Sequence, residues 1–359
     1  MPAYHPREER RRRMDTDYTA TSQLRQRVLR TLSFREPDLC PYYIWIDPEM
    51  EGPLARHYGD SDFRKTIIRD HVAMAEIRAL EHPLGGTLYR DDFGVIIRKG
   101  NIPHVEQPAL SEPDLKGYRF PELSSEKHLG HIGPWAAENV DRYRIVNLVE
   151  MFSERTWFIR GFEESMADFY LNQRFMEELL DGLLAVCLDA LEALLQRFGD
   201  RIDAVGMTED AGSEHSMILG PDLWRRMIKP RLAQIYGRIR KAGKKGYFHS
   251  CGHIRPIVPD LIDIGVDMIQ PLQPEAMDIF ELKREFGRDL CLVGGISTQK
   301  TLPFGTPQDV IREIDRCLGE MAAGGGYILA PAKPLLPGVP LANAVALIDR
   351  FVSQNGGPR

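Results

Sequence analysis

"KGYFHSCGHIRPIVPDLIDIGVDMIQPL", residues 245–272, begins and ends on short apolar runs, "KGYFHS" (245–250) and "DMIQPL" (267–272), with an interval of helical length between them. A strand, a crossover and a second strand at that spacing predict a βα unit of a parallel sheet. The pattern extends in both directions. "RIVNLV" (144–149), "DAVGM" (203–207), "LCLVGG" (290–295) and "GYILAP" (326–331) read as further strands. Between strands lie amphipathic stretches such as "PDLWRRMIKPRLAQIYGRIRK", where Leu223, Met227, Ile228, Leu232, Ile235 and Ile239 recur at three- and four-residue steps. With "YYIWI" (42–46) as an opening strand the count is seven, one short of a closed eightfold barrel. No Gly-rich phosphate fingerprint follows the early strands. The expected fold is therefore α/β, a (β/α)8 TIM barrel rather than an open doubly wound sheet.

Residues 80–125 break the alternation. "GGTLYRDDFGVIIRKGNIPHVEQPAL" (85–110) reads as a β-hairpin with Pro-rich strands, an insertion that caps one barrel end, and Asp91-Asp92 as its turn. Residues 1–21 form a basic N-terminal extension without the apolar segment of a signal peptide, and 22–355 read as a single domain. With 43% hydrophobic and 27% charged residues and a formal charge of −6, the composition is that of an ordinary globular enzyme and excludes a general nucleic-acid binder. No run of about 18 apolar residues is present to span a bilayer. Five scattered cysteines, an odd number, do not make a disulfide framework, and a reducing cytoplasm follows.

In a βα barrel the chemistry sits where strands end, at the C-terminal face. His249 and Cys251 fall there, as do Glu209 and Asp210, Gln270 and Gln273, and Lys333. Asp203, Asp267 and Asp289 precede their strands and belong to the structural face. His249-x-Cys251 admits three readings: a core His beside a buried Cys, half of a metal site, or a Cys–His nucleophile. Two ligands alone do not hold zinc well. Arg160 and Asp168, eight residues apart, read as structural.

"HSCGHIRPIVPDLIDIGVDMIQPLQPEAMDIFELKREFGRDLCLVGGISTQKTLPFGTPQDVIREI" (249–314), followed by "GGGYILAPAKPLLPGVPLAN", resembles the uroporphyrinogen decarboxylase superfamily. Weaker likeness runs back through "RQRVLRTLSFREPDLCPYYIW", "DDFGVIIR" and "WFIRGFEESMADFY". The resemblance implies a (β/α)8 barrel. The Arg-rich porphyrin-carboxylate motif of the true decarboxylases is missing from "SQLRQRVLRTL", which favours the branch of corrinoid-dependent methyltransferases. In that branch an H-x-C pair and a later Cys hold zinc. His249 and Cys251 match the pair; in the third position stand Ala332 and Lys333.

A zinc site here needs another donor. Glu209 or Asp210 are the candidates, with Gln273 behind them, because an ammonium is a poor ligand at neutral pH. The resemblance thus implies methyl transfer, of the O-demethylation type, from a methoxylated aromatic or similar small donor to a corrinoid (cobalamin) supplied by a partner protein. Zinc, held by His249, Cys251 and Glu209, would assist the leaving group. His249, Glu209, Asp210 and Lys333 are the catalytic candidates, and Tyr42, Tyr43, Trp45, Phe93, Trp157 and Phe162 are either pocket lining or core. A homo-oligomer is compatible with these features but nothing marks its surface. The alternatives are a metal-free decarboxylase of a carboxylated aromatic or tetrapyrrole-like substrate, with His249 as acid and Lys333 as anion clamp, and a barrel that only docks a corrinoid protein.

Overall fold

A computed structural model describes residues 22–100 and 103–354. The basic extension read at 1–21 lies outside the described residues. The backbone divides into two compact units, one of Met74–Glu138 with Arg144–Val266, the other of Asn139–Tyr143 and the described parts of Met1–Ala73 and Asp267–Arg359.

The first unit holds most of strand β1 (Val72–Ile77), then β2 (Glu81–Gly85), β3 (Leu88–Asp91), β4 (Ile96–Arg98), β5 (His104–Gln107), all but the first residue of β6 (Tyr143–Leu148), β7 (Ala204–Thr208) and β8 (Lys245–His249). β6, β7 and β8 are parallel neighbours, aligning Asn147 with Gly206, Gly206 with Tyr247, and Thr208 with His249. Alternation along β8 sets the two faces of this sheet. A Cβ on Gly246 would stand 2.7 Å from Tyr236 of the helix Lys229–Lys241, so 246 and 248 face the helices. Tyr247 and His249 face the other way. The 26-residue helix Gln173–Phe198 buries a continuous stripe including Met176, Leu179, Leu180, Leu183, Cys187 and Leu191. Each such fully buried leucine contributes roughly 1.5–3 kcal/mol of transfer free energy.

Where the sequence suggests a β-hairpin, β2 to β5 form a four-stranded antiparallel sheet. Asp91 closes β3, and the turn at 92–94 is held by the Gly94 N–H donating to the Asp91 carbonyl, 3.0 Å. The Asp91 carboxylate pairs with the buried Arg155 guanidinium at 2.6 Å, tying the insertion to the segment that follows β6. Arg155 also lies over the Phe93 ring, 4.3 Å to the centroid.

In the second unit β9 (Met268–Leu272), β10 (Cys291–Ile296) and β11 (Tyr327–Pro331) are parallel. Helices Ile279–Phe286, Pro307–Met321 and Leu341–Val352 follow them in turn. Thr306 and Asp309 form a reciprocal capping box that fixes where Pro307–Met321 begins. The expected strand 42–46 is instead two isolated bridges, Tyr42 with Leu329 and Ile46 with Leu335. On that edge Tyr43 donates to the Leu329 carbonyl and the Leu335 N–H to the Trp45 carbonyl, while on the opposite edge the Ile44 N–H is taken by the Asp70 carboxylate at 2.8 Å. β1, whose sequence "VAMAEI" carries little β-branched character, is an eighth β segment that the sequence pattern does not announce. Outside the insertion, eight β segments thus alternate with helices along the described residues. Among these residues no helix is long and apolar enough to cross a membrane.

Candidate metal centre

β7 and β8 end level with each other, and the segments that leave them are laced together by backbone. The Glu209 N–H donates to the His249 carbonyl at 2.9 Å, and the His253 N–H to the Ser213 carbonyl at 2.7 Å. The Ala211 N–H donates to Ser250 Oγ at 3.0 Å. Gly212 is obligatory in this arrangement, since a Cβ there would stand 2.7 Å from the Cys251 carbonyl oxygen. The lacing places three donor side chains together. His249 Nε2 lies 3.5 Å from Cys251 Sγ and 3.9 Å from Asp210 Oδ1. Asp210 Oδ1 accepts the Cys251 N–H at 2.7 Å, which fixes the carboxylate. One ligand atom from each of Asp210, His249 and Cys251 lies within 4.8 Å of the others, and all three residues are half-buried. Among the described residues this is the one such group. Sulfur, imidazole nitrogen and carboxylate oxygen are the donors that zinc takes, so the residues fit that metal, with Asp210 rather than a second thiolate as the third donor.

Glu209 goes elsewhere. It follows Thr208 by one residue and therefore points to the opposite face, where it is fully buried. Its carboxylate accepts the Ser153 N–H at 3.0 Å and the Ser153 hydroxyl at the start of helix Ser153–Arg160. Burial pushes the Glu209 carboxyl up to about 7, although both Ser153 bonds oppose this. Glu209, expected as a donor beside His249, lies on the opposite face, and Asp210 is the carboxylate on the His249 side, because strand alternation gives only one of two consecutive carboxylates to that side.

Sequence reasoning did not single out Glu154. Burial, reinforced by the Asp210, Glu209 and Glu150 carboxylates, pushes its carboxyl up to about 9. Nothing in "MFSERTW" distinguishes it from a solvated helix-start glutamate; only the Ser153–Glu209 anchor turns that helix start inward. Glu150, just before it, adopts the left-handed region (φ 58°) that non-glycine residues avoid. Arg155 holds it there by donating to both its carbonyl, 3.1 Å, and its carboxylate, 3.1 Å.

Gln270, Gln273 and Lys333 belong to the other unit: both glutamines are buried and Lys333 follows β11, half-buried. Of the aromatic candidates, Tyr42, Tyr43 and Phe93 are core, whereas Trp45 and Phe162 are each 53% exposed. Arg160 and Asp168 form a buried ion pair at 2.8 Å across the break between two helices, and so are structural.

The family model for uroporphyrinogen decarboxylase (URO-D) matches residues 92–353, well over half of the sequence. The chain belongs to the uroporphyrinogen decarboxylase family. No curated protein sequence matches it significantly. Among solved structures it is similar to a methyltransferase from Methanosarcina mazei, with a TM-score of 0.69 at 19% identity, covering 94% of this chain and 100% of that one. At that identity the likeness shows a shared fold. A further match, to the GH26 domain of an endo-beta-mannanase/endo-beta-glucanase from Prevotella bryantii, has a TM-score of 0.41 at 8% identity over 91% of this chain and 94% of that one, and carries no argument.

Proposed function

We propose that this member of the family is a methyltransferase. On this reading it moves a methyl group from a methoxylated, aromatic small molecule to a corrinoid carried by a partner protein in the cytoplasm. The eight β segments and the shared fold support a (β/α)8 barrel as its framework. The observation that carries the reading is the convergence of Asp210, His249 and Cys251. These three residues would hold zinc, which when bound supplies a Lewis acid for the oxygen from which the methyl group departs. The chain's own groups do the rest. The Cys251 N–H orients Asp210, and the backbone lacing of the two strand ends keeps His249 and Cys251 in reach of each other. Outer hydrogen bonds of this kind tune a metal's ligands.

The alternative is a metal-free decarboxylase. What favours it is Glu154, a carboxyl whose burial near Glu209 and Asp210 raises its pKa toward that of a general acid. The deciding experiment incubates the zinc-loaded chain with methoxyphenols and free cob(I)alamin and follows methylcobalamin by its absorption. Zinc-dependent methylation that disappears in Cys251→Ala is expected. Carbon dioxide release from carboxylated aromatics, with no methylation of cobalamin, would overturn the proposal.

A further inference from the structure

Arg155, in the first turn of the helix Ser153–Arg160, is only 1% exposed. A guanidinium is kept out of water only where its charge and its donors are answered. One of its nitrogens donates to the Asp91 carboxylate at 2.6 Å, and the other two donate to Glu150, to its carbonyl and to its carboxylate, each at 3.1 Å. Two of these three bonds go to a single residue, and that residue is the one held at φ 58°. A non-glycine residue persists in that region only where its surroundings over-determine it, and such residues gather at functional sites.

Glu150 opens the bend that leads from β6 to Ser153. On its near side the Val149 N–H donates to the Ile77 carbonyl of β1 at 3.1 Å. On its far side it delivers Ser153, whose N–H and hydroxyl both go to the Glu209 carboxylate. Glu209 immediately precedes Asp210, and its own N–H donates to the His249 carbonyl at 2.9 Å. The backbone that carries two of the three metal donors is therefore anchored at the residue that Ser153 holds.

We infer that Arg155 is a positioning residue for the metal centre. By locking the bend at Glu150 it fixes Ser153 against Glu209, and through Glu209 it sets the spacing of Asp210 and His249. It acts through these residues rather than on the metal. The inference rests on the zinc reading above and adds to it a support outside the donors, in which the insertion takes part through Asp91.

A second buried guanidinium on the same helix separates this role from general stability. Arg160 pairs with Asp168 at 2.8 Å and donates to the Ser111 carbonyl of the insertion at 2.8 Å, with its bonds at the far end of the helix from the bend. Cobalt(II) is the probe, because its visible absorption follows the geometry of its donors. Wild type, Arg155→Met, Arg160→Met and Ser153→Ala are each melted and titrated with cobalt(II). Both arginine variants are expected to lower Tm, since each leaves a buried carboxylate without its partner. Only Arg155→Met is expected to shift the cobalt bands, and to weaken binding about tenfold, the lower end of what a change outside the ligands costs.

Ser153→Ala removes one bond to Glu209 without touching the ion pair. It should shift the same bands by less, and it decides the matter if Arg155→Met does not fold. Glu209→Gln keeps an oxygen for Ser153 and should leave the bands in place. Unchanged bands and affinity in Arg155→Met, or in Ser153→Ala should the arginine variant not fold, overturn the role of Arg155, as does an equal change in Arg160→Met. A wild type that binds no cobalt removes the metal centre itself, and this inference with it.

Discussion

The strand ends of the two units make different uses of similar residues. After β7 and β8, one unit brings a carboxylate, an imidazole and a thiol within 4.8 Å. After β9 and β10, the other gathers Glu275 and Ser297, with Glu313 from the helix Pro307–Met321. There the Ser297 hydroxyl donates to Glu275, its N–H donates to Glu313 at 3.2 Å, and its oxygen accepts the N–H groups of Lys300 and Thr301 at 3.0 and 3.1 Å. Burial holds the Glu313 carboxyl above its ordinary range, with Glu275 adding to the effect. This second cluster ties a loop to a helix. The first adds sulfur and nitrogen to its oxygen. Carboxylates at a strand end thus need not gather mixed donors; backbone lacing between two strand ends does.

The largest effect that tests this contrast is expected at Cys251. Cys251→Ala should weaken zinc binding by more than about 100-fold in competition with a chromophoric chelator, since loss of a ligand exceeds the 10–100-fold typical of outer-shell changes. Asp210→Asn should cost about 10–100-fold, because an amide is a weaker and neutral donor. Glu209→Gln should leave zinc affinity within about twofold, since its oxygens serve Ser153 rather than the metal. A large loss there would erase the distinction between the two consecutive carboxylates.

Glu313→Gln should leave metal binding untouched and alter only the pH dependence of stability. A carboxyl whose folded pKa is raised contributes stability that is present below its unfolded value, near 4.5, and is lost as pH rises through the folded value. Urea unfolding across pH 4 to 8 should therefore show a flatter profile for the variant than for the wild type. The same slope in both would mean that Glu313 is not held protonated.

Much of the framework is legible in the sequence, because parallel strands buried on both faces read as short apolar runs: six of the seven expected strands are present. The failures have physical causes. "YYIWI" has strand composition, but its pairing stops at two isolated bridges, Tyr42 with Leu329 and Ile46 with Leu335. "VAMAEI" is a strand because its neighbours make it one. At the site, His249-x-Cys251 is visible because two residues along a strand return to the same face. The choice between Glu209 and Asp210 is also a matter of alternation and was open to sequence reasoning once Thr208 was aligned with His249. That alignment comes from register, which no local pattern supplies. Glu154 was not legible, since its position depends on how Ser153 caps onto Glu209.

The central claim is that Asp210, His249 and Cys251 form one metal centre. Its most direct test is the zinc content of wild type, Cys251→Ala, Asp210→Ala and Glu209→Gln, each loaded with zinc, dialysed against a chelator of moderate strength and measured by elemental mass spectrometry. About one zinc per chain in the wild type and Glu209→Gln, and less than about a tenth of that in the other two, is the predicted result. Zinc retained in Asp210→Ala, or lost only in Glu209→Gln, would contradict the account.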